Sequence, residues 1–219
     1  TARIGDPSGR SKTRPMLSRE EAKINAESYS TQAFKILDRE LTEIRFNSEW
    51  LDAMSFEDVI RLSSKYTVAR MMERHDFARR YEENEPIGIS EFLYPLAQAY
   101  DSVVVKADVE IGGDDQFFNL VVGRKIQEEH GLEAQAILTV PLIEGTDGKL
   151  KMSKSYDNYI AFDDTPRDMF GKLMSIPDTL ILKYFRLLTD KSEVELSEIE
   201  TMIKSKSVNP RDLKLELGV

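Results

Sequence analysis

The chain has 219 residues, of which 41% are apolar and 32% charged, with a formal net charge of −9 at neutral pH. This is the composition of a globular protein that buries a real core, one domain plus an appendage; there is no repeat and no low-complexity segment. With no cysteine there is no disulfide or thiolate metal site, which fits a reducing, cytoplasmic setting, and no apolar run approaches membrane-spanning length. The acidic balance argues mildly against a surface devoted to nucleic acid and leaves room for a local basic patch.

The first residues, Thr1-Ala2-Arg3-Ile4, read as the end of a strand, so the sequence is expected to be a piece of a longer chain. Gly5-Asp6-Pro7-Ser8-Gly9-Arg10-Ser11-Lys12-Thr13-Arg14-Pro15 is a loop, punctuated by glycine, proline and small hydroxyls. Asp6 suits a cation or a simple Asx turn, and Arg10, Lys12 and Arg14 give the loop a positive edge. Ser18 with Glu21 three residues on opens a helix predicted to run to about Leu41. Ile44-Arg45-Phe46 reads as a short strand and Trp50 as a core anchor. Two or three short helices are expected from Ser55 to Tyr81. Their Met71, Met72 and Phe77 suit core packing first and a partner surface second. His75, between Arg74 and Asp76, reads as a surface residue.

Ser90 opens a further helix predicted to end near Asp101, with Pro95 disturbing its first turns. On it Tyr94, Gln98 and Asp101 stand at i, i+4 and i+7 and share one face. A phenol, an amide and a carboxylate on one stripe admit two readings, a polar site wall or an exposed face. Val103 to Val105 and Ala107 to Ile111 have strand character. The second run leads into Gly112-Gly113-Asp114-Asp115-Gln116, then a helix from Phe117 to about Glu129 closed by His130-Gly131, then a strand from Ala136. Strand, glycine turn, helix, strand is a βαβ unit with parallel strands. Its glycines let a ligand approach the carboxyl end of a strand, where Asp115 suits a pair of ribose hydroxyls.

After that strand comes Lys151-Met152-Ser153-Lys154-Ser155, preceded by the turn signal Asp147-Gly148. Two lysines three apart, interleaved with serines, make a loop expected to be mobile and cationic. It offers what stabilising a departing polyphosphate requires. Thr165-Pro166 then starts the first of several helices, followed by roughly Asp178 to Leu188, Val194 to Lys204, and a last one opened by Asn209-Pro210.

The Lys-Met-Ser-Lys-Ser run is the signature of the class I aminoacyl-tRNA synthetases. Together with Gly-Asp-Pro-Ser-Gly, Tyr-x3-Gln-x2-Asp and Gly-Gly-x-Asp-Gln, all in order, it makes the chain resemble the bacterial tyrosyl-tRNA synthetases along essentially its whole length. The resemblance implies an α/β fold: the distal part of a Rossmann-like (HUP-type) catalytic domain over residues 1–160, with a helical insertion at about 47–100. Residues 161–219 are then a helical linker region. It implies activation of tyrosine by ATP to tyrosyl-adenylate and pyrophosphate, and transfer of tyrosyl to tRNA(Tyr). The alternatives are a tryptophan-type class I enzyme and a non-catalytic synthetase-like protein that binds RNA or a partner.

By the same resemblance, Asp6, Tyr94 and Gln98 hold the α-ammonium of tyrosine, Asp101 accepts its phenol, and Gln116 lies near the reacting carboxylate. Gly113 and Asp115 hold the ribose of ATP; Arg10, Arg14, Lys151 and Lys154 act on the pyrophosphate; Met152, Ser153 and Ser155 complete the ATP loop. Arg10 departs from the lysine frequent in relatives, a fork in place of a point charge. ATP is a substrate with Mg2+ accompanying it, and no tightly bound cofactor or metal ligand set is implied. The family's His-x-Gly-His motif is absent and would precede Thr1. For that reason the chain by itself is expected to be inactive, and the strand face carrying Val109, Ile111, Ile137 and Leu138 is expected to be uncovered. The family pairs as a homodimer without a membrane. Met71, Met72, Phe77 and Ile89 are expected to supply the apolar contact, with Arg70, Arg79 and Arg80 as its rim.

Overall fold

A computed structural model describes residues 17–153 and 156–218. These residues form two compact units, the first ending at Val140 and the second starting at Pro141.

In the first unit, helix α1 (Arg19–Ala33) starts at the expected capping box, with the Ser18 hydroxyl accepting from the Glu21 amide and the Glu21 carboxylate accepting from the Ser18 amide. It ends eight residues short of Leu41. No residue of α1 is buried, so no packing face holds it together. Beyond Ala33, Lys35 and Ile36 bond three residues back, and the Asp38 side chain accepts from the Glu40 amide in an Asx turn. The expected strand at residues 44–46 does not form either. The Glu49 carboxylate takes the Phe46 amide at 2.9 Å and the Arg45 guanidinium, folding that stretch onto α2 (Ser48–Leu51).

Three short helices follow as expected: α3 (Phe56–Ser63), α4 (Val68–Met71) and α5 (His75–Glu82). They pack their apolar stripes against α6 (Ile89–Val105) in a core of Leu62, Met71, Phe77, Leu96 and Ala99. Met71 and Phe77 are therefore interior, at 3% and 0% exposure, and not part of an outer contact. Arg80 is interior too, its guanidinium gripping the buried Glu91 carboxylate at 2.5 and 3.1 Å. Ile89 alone of the four expected apolar contact residues stands out, 81% exposed.

Helix α6 continues four residues past Asp101 and through Pro95. Val103 to Val105 form its last turn, not a strand, and Lys106 stops it in the left-handed region at φ 55°. The spacing of Leu96, Ala99 and Val103 keeps one apolar face against α7 (Phe117–Glu129), and that packing overrides the β-propensity of the valines. Strands β1 (Val109–Gly113) and β2 (Ala136–Val140) pair in parallel with Val109 opposite Ala136, and α7 is the crossover. Alternation turns Val109, Ile111, Leu138 and Val140 outward, where all four are exposed. Ile137 was expected among them; it is half-buried, because its position in the alternation puts it on the opposite face.

The second unit opens with a tight turn. Gly145 donates to the Leu150 carbonyl at 2.8 Å and Met152 to the Ile143 carbonyl at 2.7 Å, with Glu144 bridged to Lys151. Helices α8 (Pro166–Ser175), α9 (Ile181–Leu188), α10 (Glu193–Ser205) and α11 (Pro210–Leu217) follow, close to their predicted places. One cluster joins Ile181, Phe185, Leu196, Ile199 and Leu213; a second, around Ile176, Leu180 and Tyr184, holds Met152 and Ile143. Burial pushes the Tyr184 phenol up to about 12, and its hydroxyl donates to the Glu144 carbonyl at 2.6 Å.

Candidate functional site

Asp6, Arg10, Arg14, Lys154 and Ser155 lie outside the described residues. The remaining predicted positions fall into two sets, one in each unit.

In the first unit the α6 stripe is as expected: Tyr94, Gln98 and Asp101 are each partly buried on one helix face. The carboxylate is held at both oxygens. Its Oδ1 accepts the indole N–H of Trp50 at 2.8 Å and its Oδ2 accepts the Asn47 amide at 3.1 Å. Burial raises the Asp101 pKa above the ordinary aspartate value, while the Asn47 and Trp50 donors pull the other way. Each oxygen has a second lone pair, so the group can still accept a hydroxyl from a ligand. It borders a cleft of about 340 Å³ whose other walls include Arg45, Phe46, Asn47, Trp50 and Val105.

Trp50 is thus not the core anchor its sequence context suggests; it positions a carboxylate. The signal for it was Asn47-x2-Trp50, an amide and an indole donor three apart at the start of a short helix. Nothing local says what they face, since their acceptor lies more than fifty residues on.

At the carboxyl end of β1, Gly113 leads into a single 3-10 turn, Asp114–Gln116, before α7 begins. Asp115 sits on that turn, exposed, at the strand end where an open sheet takes its ligands. Gln116 comes back toward α6 through a residue the motifs did not flag. The Asn119 amide, 2% exposed, donates to Gln116 Oε1 at 3.0 Å and to Gln98 Oε1 at 3.1 Å. Each glutamine carbonyl accepts one of these bonds and keeps a second lone pair, so Gln98 can still accept from a ligand ammonium while the amide NH2 groups remain donors for a ligand carboxylate or carbonyl. The sequence signal was an asparagine three residues after Gln116, on the first turn of α7.

In the second unit, Lys151, Met152 and Ser153 follow the tight turn, with Lys151 exposed and Met152 packed inward. Asp147 accepts from the amides of Lys149 and Leu150 at 2.8 and 3.1 Å; these bonds and the Asn158 amide hold its carboxyl below the ordinary aspartate range. The arrangement presents a lysine from a braced backbone, the requirement for a cation that meets a phosphate in a fixed place.

Among the described residues no helix is long and apolar enough to cross a membrane.

The family described as tRNA synthetases class I (W and Y) matches residues 1–215. Among curated relatives, a tyrosine-tRNA ligase of Thermotoga maritima is 68% identical over 218 residues, covering all of this chain and 54% of that protein. One of Oleidesulfovibrio alaskensis is 56% identical, over all of this chain and 55% of that protein. The chain spans about half the length of the curated relatives it matches. Among solved structures, the tyrosyl-tRNA synthetase of Archaeoglobus fulgidus complexed with L-tyrosine superposes with a TM-score of 0.69 at 23% identity, over 92% of this chain and 70% of that one. A C-terminally truncated mitochondrial tyrosyl-tRNA synthetase of Coccidioides posadasii gives 0.64 at 20% identity, over 98% of this chain and 66% of that one. These two likenesses concern the fold.

Proposed function

The chain belongs to the class I tRNA synthetases of the tryptophan and tyrosine group, and we propose that it is part of a tyrosine-tRNA ligase. The observation that carries the choice of tyrosine is Asp101, a partly buried carboxylate at a cleft with both oxygens oriented by Trp50 and Asn47. An ionised carboxylate only accepts, and a phenol hydroxyl is a donor of matching size. Indole has a donor as well, so the tryptophan reading is the one to test against. The stripe of Tyr94 and Gln98 behind Asp101 favours a small polar amino acid head group over an RNA surface.

In this reading tyrosine's carboxylate attacks the α-phosphorus of ATP in line and pyrophosphate leaves; the tyrosyl group then passes to tRNA(Tyr). No protein nucleophile is needed, and catalysis consists of positioning and charge stabilisation. Asp6, Tyr94 and Gln98 bind the ammonium and Gln116 the reacting carboxylate. Gly113 and Asp115 take the ribose. Arg10, Arg14, Lys151 and Lys154 stabilise charge on the departing pyrophosphate, with Met152, Ser153 and Ser155 shaping their loop. Mg2+ enters with ATP as part of the substrate. The protein works as a cytoplasmic homodimer, with residues 161–219 as a helical linker region.

The test is ATP–pyrophosphate exchange by the full-length protein. Exchange that depends on tyrosine is the expected result. Exchange driven by tryptophan, or by no amino acid, overturns the proposal.

A further inference from the structure

Asn158 lies outside the five-residue signature loop, yet it is 3% exposed and its side chain is bonded to the backbone of that loop at two points. Its Oδ1 accepts the Ser153 amide at 2.9 Å. Its Nδ2 donates to the Lys151 carbonyl at 3.2 Å and to Asp147 Oδ2 at 2.8 Å, with the Leu150 carbonyl at 3.4 Å sharing the second hydrogen. Its own carbonyl accepts from the Thr146 amide at 2.9 Å. The bonds to Lys151 and Ser153 grip the backbone on both sides of Met152, which the apolar cluster holds from below.

The turn is built to admit this side chain. A Cβ at position 145 would stand 2.1 Å from Asn158 Nδ2, so only glycine at that position leaves room for it. Gly148, at φ +65°, closes the turn against Pro177 in the same way. One short planar head must accept on one side and donate on the other, and among the standard side chains of that length only asparagine does both at neutral pH.

We propose that Asn158 is the positioning residue for the phosphate-binding loop, fixing the backbone direction in which Lys151 is presented. The inference rests on the ligase reading given above. It places in this asparagine a part of the transition-state geometry, through a side chain that is 3% exposed.

Two variants of the full-length protein separate positioning from mere stability. Asn158→Ala removes the side-chain bonds to the Ser153 amide and the Lys151 carbonyl. Pyrophosphate exchange should fall ~10²-fold at every pH, the scale of a small misplacement of a reacting group. The tyrosine KM should stay within about twofold, because the amino acid is held by α6 and not by this loop. Asn158→Asp should instead gain a pH dependence. As a neutral acid it can donate to Asp147 and accept from Ser153; as a carboxylate it can only repel Asp147, which also raises its own pKa. Asp147 is the charged group touching that head; on α9, Lys183 is already paired with Glu144 at 2.6 Å and the Tyr184 phenol stays neutral.

The expected result for Asn158→Asp is exchange recovering about tenfold between pH 8 and pH 6, relative to wild type, with circular dichroism unchanged. A profile parallel to wild type, or a loss carried by tyrosine KM, overturns the inference. If wild type shows no tyrosine-dependent exchange, the ligase reading fails instead. The asparagine is then judged by limited trypsin digestion: Asn158→Ala should be cut faster at Lys149 and Lys151, and equal rates overturn it.

Discussion

The indole N–H of Trp50 donates to Oδ1 of Asp101 at 2.8 Å, joining residues 51 positions apart in the chain. A four-residue helix thereby determines how a carboxylate on a seventeen-residue helix faces the cleft. The pairing turns a partly buried aspartate into a directed acceptor, and two expectations rest on the same bond.

Trp50→Phe keeps the ring and deletes the donor. The preference for tyrosine over phenylalanine in activation should fall by about tenfold, the worth of one hydrogen bond to a charged group. Asp101→Ala should collapse the preference. Sites built to bond a hydroxyl reject the analogue lacking it because the buried group is left unpaired, and tyrosine enzymes of this class are the standard example. Competitive exchange assays with both amino acids measure the ratio; an unchanged ratio in Asp101→Ala removes the residue from the pocket.

The raised pKa of Asp101, caused first by burial, has a stability consequence. In the pH range just above the ordinary aspartate value the folded state holds a proton that the unfolded state has lost, so stability falls as pH rises through the folded-state pKa. Asp101→Asn does not titrate. Its stability relative to wild type should therefore improve on going from about pH 4 to pH 7, as read by urea denaturation at the two values. A difference that is flat or opposite in sign contradicts the burial argument.

Asn119 should act on tyrosine binding without acting on selectivity. Asn119→Ala frees the carbonyls of Gln98 and Gln116 and lets both amides turn over, so KM for tyrosine should rise by about tenfold, the effect of one lost hydrogen-bond constraint at each end. The tyrosine-to-phenylalanine ratio should not move, because Asp101 has no bond to this network. A changed ratio at normal KM would assign Asn119 to the phenol end of the site.

Lys151→Ala should lower the single-turnover rate of adenylate formation by ~10²-fold, as for removal of one donor aimed at developing charge. Tyrosine affinity should barely change, since the charge this lysine would meet develops only in the transition state. Loss of affinity at a normal rate would contradict the role.

Ile89 is the exposed apolar residue left once Met71 and Phe77 are recognised as interior. In the full-length protein Ile89→Asp should convert a sedimenting dimer to monomer at micromolar concentration, because a carboxylate would be desolvated at the contact. A wild-type monomer under those conditions rules out the homodimer, and an undisturbed dimer in the variant moves the contact elsewhere.

Some features of this protein were fully legible in its sequence. The βαβ unit around Gly112-Gly113 and helices α8, α10 and α11 of the second unit were legible because each is specified locally, by a turn signal, a capping side chain or a proline at the first helical position. The stripe of Tyr94, Gln98 and Asp101 was legible too, since helical periodicity alone puts the three on one face. Tertiary structure decided what those residues meet. Val103 to Val105 are helix and not strand because α7 offers the end of α6 an apolar face. Residues 44–46 are not a strand because Glu49 takes the amide a ladder would have used. Trp50, Asn119 and Asn158 show in the sequence only what they can donate or accept. Packing brings Asp101 to Trp50 and Gln98 to Asn119, and the turn folds Asp147, Lys151 and Ser153 around Asn158. A sequence does not say which partner the fold places before each group.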